Sequence, residues 1–533
     1  MKAMTRNFHM FLVGALIMLA GGFSSAAEQK NVLFISIDDL KPWLGAYGHP
    51  IVKSPNIDRI AKEGAVFRRN YCQVAVCGPT RMSVLTGLRP DRTQVYNMGW
   101  ELWHIDEARR RVPGLKTIPE YFKEAGYTTL GYGKVFDSRN TDKFQDKQSW
   151  SDPKGVRWNW DTSLYPVSPI GGGYQNPETR VVVAEALAEA KRRGLTKKQD
   201  RTEFFSTQKG VRPVVEAEDL PDEAYAEGNV MAAPAIKAIK RFGKTKEPFF
   251  LAVGFYKPHL PFVAPKKYWD LYDRNEFELA PFQEAPAGAY KHAIGDYNEG
   301  RTFDPVPMEG PISADLQREM MHGYAACVSY VDAQVGKLIA ALEEAGLAEN
   351  TIICIWGDHG FNLGDKQIWG KHNNFEEATR APLIVMSPDL AGGIVEDTIL
   401  TEFVDVFPTL CELAGLPPAP IMDGESLVGL MRGQAPTVNP PAVSQYLRAT
   451  DDGSVIGWAI RTPRYRYVEW RKVKMVDRDY EWSGDVVGRE LYDYQSDPLE
   501  TRNHAGSPEY QSVVEIMQQL FDQTLPHLPN RNN

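Results

Sequence analysis

Asn31-Val-Leu-Phe-Ile-Ser-Ile37 is an almost unbroken apolar run with two aspartates, Asp38 and Asp39, directly behind it. A strand with one face in water alternates polar and apolar residues. A continuous run instead predicts a strand covered on both faces, the habit of a parallel sheet sandwiched between helices. Residues 351–356 repeat the arrangement and end in Gly357-Asp358-His359-Gly360. Residues 128–132 lead in the same way into Gly133-Lys134, and 248–254 into Lys257-Pro258-His259-Leu260-Pro261; residues 382–386 form a further strand. Helical patterns lie between them, at 54–63, 118–125, 222–242 and 314–345. This alternation predicts an α/β sandwich with a mostly parallel central sheet.

From about residue 437 the character changes. Residues 456–461, 465–470 and 488–492 are short, aromatic and β-rich, and a helix pattern over 508–525 closes the chain. They predict a smaller antiparallel sheet packed with a helix, a C-terminal subdomain of residues 437–533 behind a catalytic domain of residues 28–436. Residues 137–222 break up into Gly, Pro, Trp and charge, which reads as a long excursion around a site or a mobile loop. Within it, the basic run of 191–201 reads as a solvated helix face. A second, proline-rich excursion covers 280–311.

The chain's 533 residues, 43% of them hydrophobic, can fill a large core. A net charge of −9 excludes a global basic field for nucleic acid. Residues 1–27 carry Lys2 and Arg6, an apolar run over 10–20 and Ser25-Ala26-Ala27, the form of a cleaved export signal. No later segment approaches a membrane span, so the expected mature protein is periplasmic or secreted, without stable membrane insertion. Of the five cysteines, Cys354 and Cys411 fall in apolar patterns, and no disulfide framework is indicated. The chain holds no Asn-x-Ser/Thr sequon, which favours a bacterial envelope.

The stretch Val74-Ala-Val-Cys-Gly-Pro-Thr-Arg-Met-Ser-Val-Leu-Thr-Gly87 sets Cys77 just outside a predicted helix with Pro79 as its first residue. Unpaired N–H groups there favour an anion, and Arg81 adds a planar cation one turn in. Cys77 is then either a buried thiol before a short helix or a reactive sulfur beside an anion site. Asp38 and Asp39 after one strand, and Asp358 and His359 after another, are singly turn or cap residues. Together with the Cys77 segment they make a candidate metal site at the carboxyl ends of the strands. Three carboxylates favour calcium, with magnesium second, whereas an imidazole is more usual on transition metals.

The pattern CxPxR followed by LTG resembles the signature of the type I sulfatases. The chain is similar to their iduronate-2-sulfatase branch over nearly its whole mature length. The likeness is carried by NVLFISIDDLKPWLGAYG, SPNIDRIA, AVCGPTRMSVLTGLRPD, TIPEYFKEAGY, GYGKVF, PFFLAVGFYKPHLPF, SYVDAQVGKLIAAL, GDHGFNLGD and ELYDYQSDP. The resemblance implies an alkaline-phosphatase-like fold. It also implies that a maturation enzyme oxidises Cys77 to formylglycine (3-oxoalanine). One calcium (Ca2+) per chain would be bound by Asp38, Asp39, Asp358, His359 and the modified Cys77. Arg81, Lys134, His259 and Lys371 match the remaining polar residues of the family's site. The implied substrate is a sulfated carbohydrate, a glycosaminoglycan or algal polysaccharide fragment of the iduronate-2-sulfate kind. The implied reaction is a double displacement at sulfur, in which a hydroxyl of the hydrated aldehyde attacks and His259 protonates the departing sugar oxygen.

Two positions depart from the pattern. Thr80 stands where the family usually has Ser, and Asp137 stands where GKVF is followed by His. A carboxylate beside a sulfate ester is repulsive unless protonated, metal-bound or turned away. Asp137 therefore either carries protons with a raised pKa or leaves that task to another residue. Two other readings follow: a phosphodiester or phosphonate monoester hydrolase of the same superfamily, and a catalytically silent carbohydrate-binding homologue. Trp100, Trp103, Trp158 and Trp160 read equally as sugar platforms and as core, and His372 as structural.

Overall fold

The apolar run ahead of Asp38 forms strand β1 (Asn31–Ile37), and every residue of it is buried. Around it the central sheet assembles from β2 (Ala65–Phe67), β3 (Thr128–Gly133), β4 (Phe249–Phe255), β5 (Thr351–Gly357), β6 (Leu383–Met386) and β7 (Gly393–Val395). The spatial order is β7-β2-β6-β5-β1-β4-β3. β1 runs parallel to β4 and β5, β3 to β4, and β7 to β2; β6 alone is antiparallel to both its neighbours. The computed structural model describes residues 29–155 and 173–531, apart from 296, 396–397, 437–438 and 452. The expected leader, Trp158, Trp160 and the expected boundary at 437 lie outside the described residues.

Alternate residues of β1 feed two cores. Leu33, Ile35 and Ile37 pack with α1 (Pro55–Glu63) and with two helices introduced below, while Val32 and Phe34 face α2 (Cys77–Thr86) and α3 (Ile118–Glu124). Each such side chain contributes about 1.5–3 kcal/mol on burial, so the strand is held from both sides. α3 starts with a capping box, Thr117 accepting from the Glu120 N–H and Glu120 reaching back. The described part of the 137–222 excursion, residues 137–155 and 173–222, carries regular structure. It contains α4 (Pro177–Arg192), capped by Asn176, and a satellite core of Ala186, Ala190, Phe204, Phe205 and Val211.

The helix expected over 222–242 is broken. A 3-10 turn (Asp222–Ala224) and a π-helical stretch (Glu227–Ala232) precede α5 (Ala233–Thr245), because Pro234 has no N–H to carry the α ladder through. α6 (Ala314–Glu344) runs 31 residues and is long and apolar enough to cross a membrane, which corrects the expectation that no later segment is. Its most apolar window is 78% buried in the protein, so it is a core helix. α1, α5 and α6 cover one face of the sheet.

The C-terminal sheet has four antiparallel strands, β8 (Ala442–Thr450), β9 (Gly453–Arg461), β10 (Tyr465–Val476) and β11 (Asp479–Asp493). α7 (Gln511–Thr524) covers it through Val514, Met517 and Phe521 against Ile456, Trp458 and Tyr467. β10 and β11 outrun the expected segments: their far halves pair as a hairpin, with Val473 and Tyr480 buried in the same core and Met475, Val476 and Val487 exposed. All five cysteines are buried thiols.

Candidate active site

β1, β3, β4 and β5 are mutually parallel neighbours, so their carboxyl ends open on one side. Ile37 lies opposite both Phe255 and Gly357, and the strands therefore finish level. The chain after each end supplies the site: Asp38 and Asp39 after β1, Lys134 and Asp137 after β3, His259 after β4, Asp358 and His359 after β5. Residues more than 300 apart meet in this way, Asp39 N–H donating to Asp358 Oδ1 at 3.0 Å. Two glycines permit the crossing. A Cβ on Gly254 would strike the Lys134 carbonyl, and Gly133, at φ +71°, passes against the Gly254 carbonyl. Asp39 itself sits at φ +59°, an uncommon conformation for a non-glycine residue and here fully buried.

α2 begins at Cys77 itself, with Val76 as N-cap and Pro79 third in the helix, a shift from the expected start at Pro79. The Thr80 N–H already bonds Val76 O, which pulls Cys77 into the first turn. Thr80 keeps the hydroxyl a serine would offer and donates it to Val74 O. Arg81 is fully buried and lies over the Trp356 ring. Its Nε bonds Asp358, its Nη2 bonds Asp38, and its Nη1 bonds Ser36 and the carbonyls of Lys134 and Val135. It therefore braces two carboxylates and the end of β3, with a single Nη2–H left to reach a substrate.

Cys77 Sγ lies 3.4 Å from His359 Nε2 and 3.9 Å from Asp39 Oδ1. Donor atoms of Asp38, Asp39, Cys77 and His259 lie within 4.8 Å of one another, as do those of Cys77, Asp358 and His359. Both imidazoles face inward through Nε2, because Nδ1 of each meets a carbonyl, Gly360 O at 2.8 Å for His359 and Leu260 O at 2.7 Å for His259. A carbonyl only accepts, so Nδ1 carries the proton and the Nε2 lone pair is offered to the site. Burial opposes charge on Asp38, yet Lys134 and Arg81 hold its carboxyl well below the ordinary value. Burial of Asp39 wins against Lys371 and His359 and lifts it to about 7. The donor set therefore fits a hard divalent cation, with Asp39 the carboxylate most in need of one.

Lys134 Nζ pairs with Asp38 at 2.6 Å, and Lys371 Nζ with Asp39 at 2.8 Å. Burial would discharge both lysines, but the facing carboxylates hold them charged. Lys371 follows the small hairpin strand Trp369–Gly370, and its carbonyl accepts from Asn373 Nδ2 at 3.0 Å. Asn373 thus shapes the turn that aims it, while Asn374 Nδ2 ties the segment to Gly457 O of β9 at 2.9 Å. The Cys77 thiol is pushed well up by burial and by Asp38, so unmodified sulfur stays protonated.

Asp137 is buried, with its carboxylate 3.7 Å from Lys134 Nζ and bound in a fork by Arg139 at 2.8 and 2.6 Å. Burial pushes its pKa up, but Arg139 and Lys134 outweigh that and hold it below the ordinary value. Of the two alternatives for Asp137, this setting matches the one in which another residue carries the proton; two cations keep it ionised. His372, read as structural, bonds the Tyr446 hydroxyl at 3.0 Å. Trp100 is 57% exposed and stacks at 4.8 Å on Trp103, which is core.

One residue was missed in sequence. Glu299, in the 280–311 excursion, meets Lys371 Nζ at 2.7 Å and His259 Nε2 at 3.4 Å. No motif surrounds it, and only a partly buried acid beside two expected site residues, visible in three dimensions, reveals it.

The sulfatase family profile matches residues 30–416, and the profile described as N-sulphoglucosamine sulphohydrolase, C-terminal, matches 364–525. The chain is 33% identical to iduronate 2-sulfatase of Mus musculus over 546 residues, covering 90% of this chain and 91% of that one. In structure it resembles a 2-O GAG sulfatase (TM-score 0.62, 20% identity, 94% and 92% of the two chains). It also resembles phosphonate monoester hydrolase of Silicibacter pomeroyi (TM-score 0.66, 21% identity, 94% and 96%).

Proposed function

This chain belongs to the sulfatase family and is a sulfuric ester hydrolase; we propose that it desulfates a sulfated sugar, a uronate 2-sulfate or similar unit, through a formylglycine hydrate made from Cys77. The observation that carries this reading is the setting of Cys77: a buried thiol at the first turn of a helix, ringed by Asp38, Asp39, Asp358, His359 and two lysines. A thiol held protonated there is a poor nucleophile, and CxPxR is the setting in which relatives convert cysteine to an aldehyde. The hydrated aldehyde supplies an oxygen nucleophile. Asp38, Asp39, Asp358 and His359 would hold a divalent cation, calcium in this reading, which would supply positive charge to the sulfate oxygens.

The chain's own residues do the rest. Asp38, Asp39, Asp137, Asp358 and Glu299 set five carboxylates against the four cations Arg81, Lys134, Arg139 and Lys371. A divalent cation turns that excess of one negative charge into one positive charge, the match for a sulfate monoester. Lys134 and Lys371 are each tied to carboxylates before substrate arrives, so they meet developing charge without reorganising. His259 presents Nε2 to the leaving oxygen with its ring fixed through Nδ1. Burial and Lys371 hold its pKa near 4 in the free protein. The sulfate's charge raises its proton affinity on binding.

The expected export signal directs the protein to the periplasm or beyond, where such polymers are met. The test is co-expression with a formylglycine-generating enzyme, mass spectrometry of the Cys77 peptide, and hydrolysis of sulfated disaccharides, aryl sulfate and aryl phosphodiester side by side. An aldehyde with preference for sulfate supports the reading. Free thiol only favours a silent carbohydrate-binding protein, and preference for the phosphodiester or a phosphonate monoester favours the neighbouring hydrolase activity.

A further inference from the structure

Glu299 occupies a costly position. Its carboxylate lies among groups that must grip an anion, and its charge adds to the repulsion felt by Asp39. Lys371 already has Asp39 as counterion, at 2.9 and 2.8 Å to the two oxygens, so neutralising the lysine does not require a second acid. Nor is Glu299 there by chance of a loose loop. Asn298 beside it donates to Gln367 O at 2.8 Å and accepts from Trp369 N–H at 3.0 Å, clamping the segment onto the strand that leads to Lys371. Thr302 Oγ1 closes the turn on the Glu299 carbonyl at 2.7 Å.

The ammonium of Lys371 has three N–H groups. Both oxygens of Asp39 bond it from one side, and Glu299 Oε2 stands 2.7 Å from Nζ on its own segment, so the ammonium is held between two fixed carboxylates. Oε1 of the same carboxylate stands 3.4 Å from His259 Nε2 and accepts from it once that nitrogen carries the proton destined for the leaving oxygen, so one group spaces the lysine and the imidazole edge. We propose that Glu299 is a positioning residue that fixes Lys371 and His259 together at the leaving oxygen of the sulfate ester. This rests on the sulfatase reading and assigns a role to a residue outside the recognised motifs. Its prediction is specific: loss of Glu299 hurts in proportion to the charge that builds on the departing oxygen. A merely structural residue would slow all esters alike.

The experiment uses full-length protein with the aldehyde at Cys77 verified by mass, and a series of aryl sulfates from 4-nitrophenyl, an easy leaving group, to phenyl, a poor one. For E299Q the expected loss in kcat is within roughly threefold on 4-nitrophenyl sulfate and more than roughly tenfold on phenyl sulfate, with KM little changed. E299D, which keeps the charge but withdraws it by one methylene, should show the same trend with smaller losses, and it serves alone if E299Q does not fold. Equal losses across the series, or none, overturn the proposal while leaving the sulfatase reading intact. A wild-type protein that carries the aldehyde and hydrolyses no sulfate ester overturns both.

Discussion

Asp137→Asn separates a proton carrier from an electrostatic brace. Asp137 is wholly buried, and it is held by the Arg139 backbone N–H at 3.0 Å and by the guanidinium fork. Breaking a fully buried ion pair costs about 3–5 kcal/mol. The Arg139 side chain is 32% exposed and regains water, and Lys134 keeps Asp38, so the expected cost is about 1–3 kcal/mol. At about 2.1 cal/mol/K of unfolding entropy per residue, a chain this long melts about 1 °C lower per kcal/mol, giving a Tm drop of about 1–3 °C. The folded pKa of Asp137 lies below the unfolded one, so its contribution is present above about pH 4 and fades as pH falls. The gap between wild type and variant should therefore close on acidification, which thermal melts from neutral pH downward will read. Steady-state kinetics decide the mechanism. A brace predicts a fall in kcat of less than about tenfold with both limbs of the pH–rate profile unmoved, whereas loss of a general acid or base costs about 10²–10⁴. A hundredfold loss with a missing limb refutes the reasoning.

Two further outcomes are expected. Asp332, on α6, accepts from the N–H groups of Asn56 and Ile57 at the start of α1, and burial lifts its pKa to about 6. A raised carboxyl stabilises the fold fully below the unfolded value and loses that contribution as pH rises. Stability should fall by roughly 3 kcal/mol between about pH 4 and 6, and Asp332→Asn should flatten that slope in denaturant titrations. Calcium should raise the melting temperature after chelation, by about 2.7 kcal/mol of stability at a hundredfold excess over Kd, and Asp39→Asn should abolish the shift. An unchanged Tm in calcium and in magnesium would count against the cation site.

Much of this site was legible before any coordinates. The apolar runs ahead of Asp38, His259 and Asp358 marked buried strands, and residues at the carboxyl ends of such strands are where open sheets place their ligands. Cys77 and Arg81 came from a short contiguous motif. Less was legible where neighbours in space decide the structure. The antiparallel placement of β6 follows from pairing with β5 and β2. Residues 314–344 match a membrane span in length and apolarity, and only the layers packed around them make them a core helix. Asp137 illustrates the limit most sharply: one carboxylate admitted opposite pKa shifts until Arg139 and Lys134 were seen around it.

By itself, then, the order of residues determined the sandwich, the strands and the chemical types that end them, because burial and backbone hydrogen bonding act through local periodicity. The charge state of each acid, the bracing duty of Arg81 and the presence of Glu299 were decided only by tertiary structure. Electrostatic energy depends on distance and burial, and neither is a property of a residue's place along the chain.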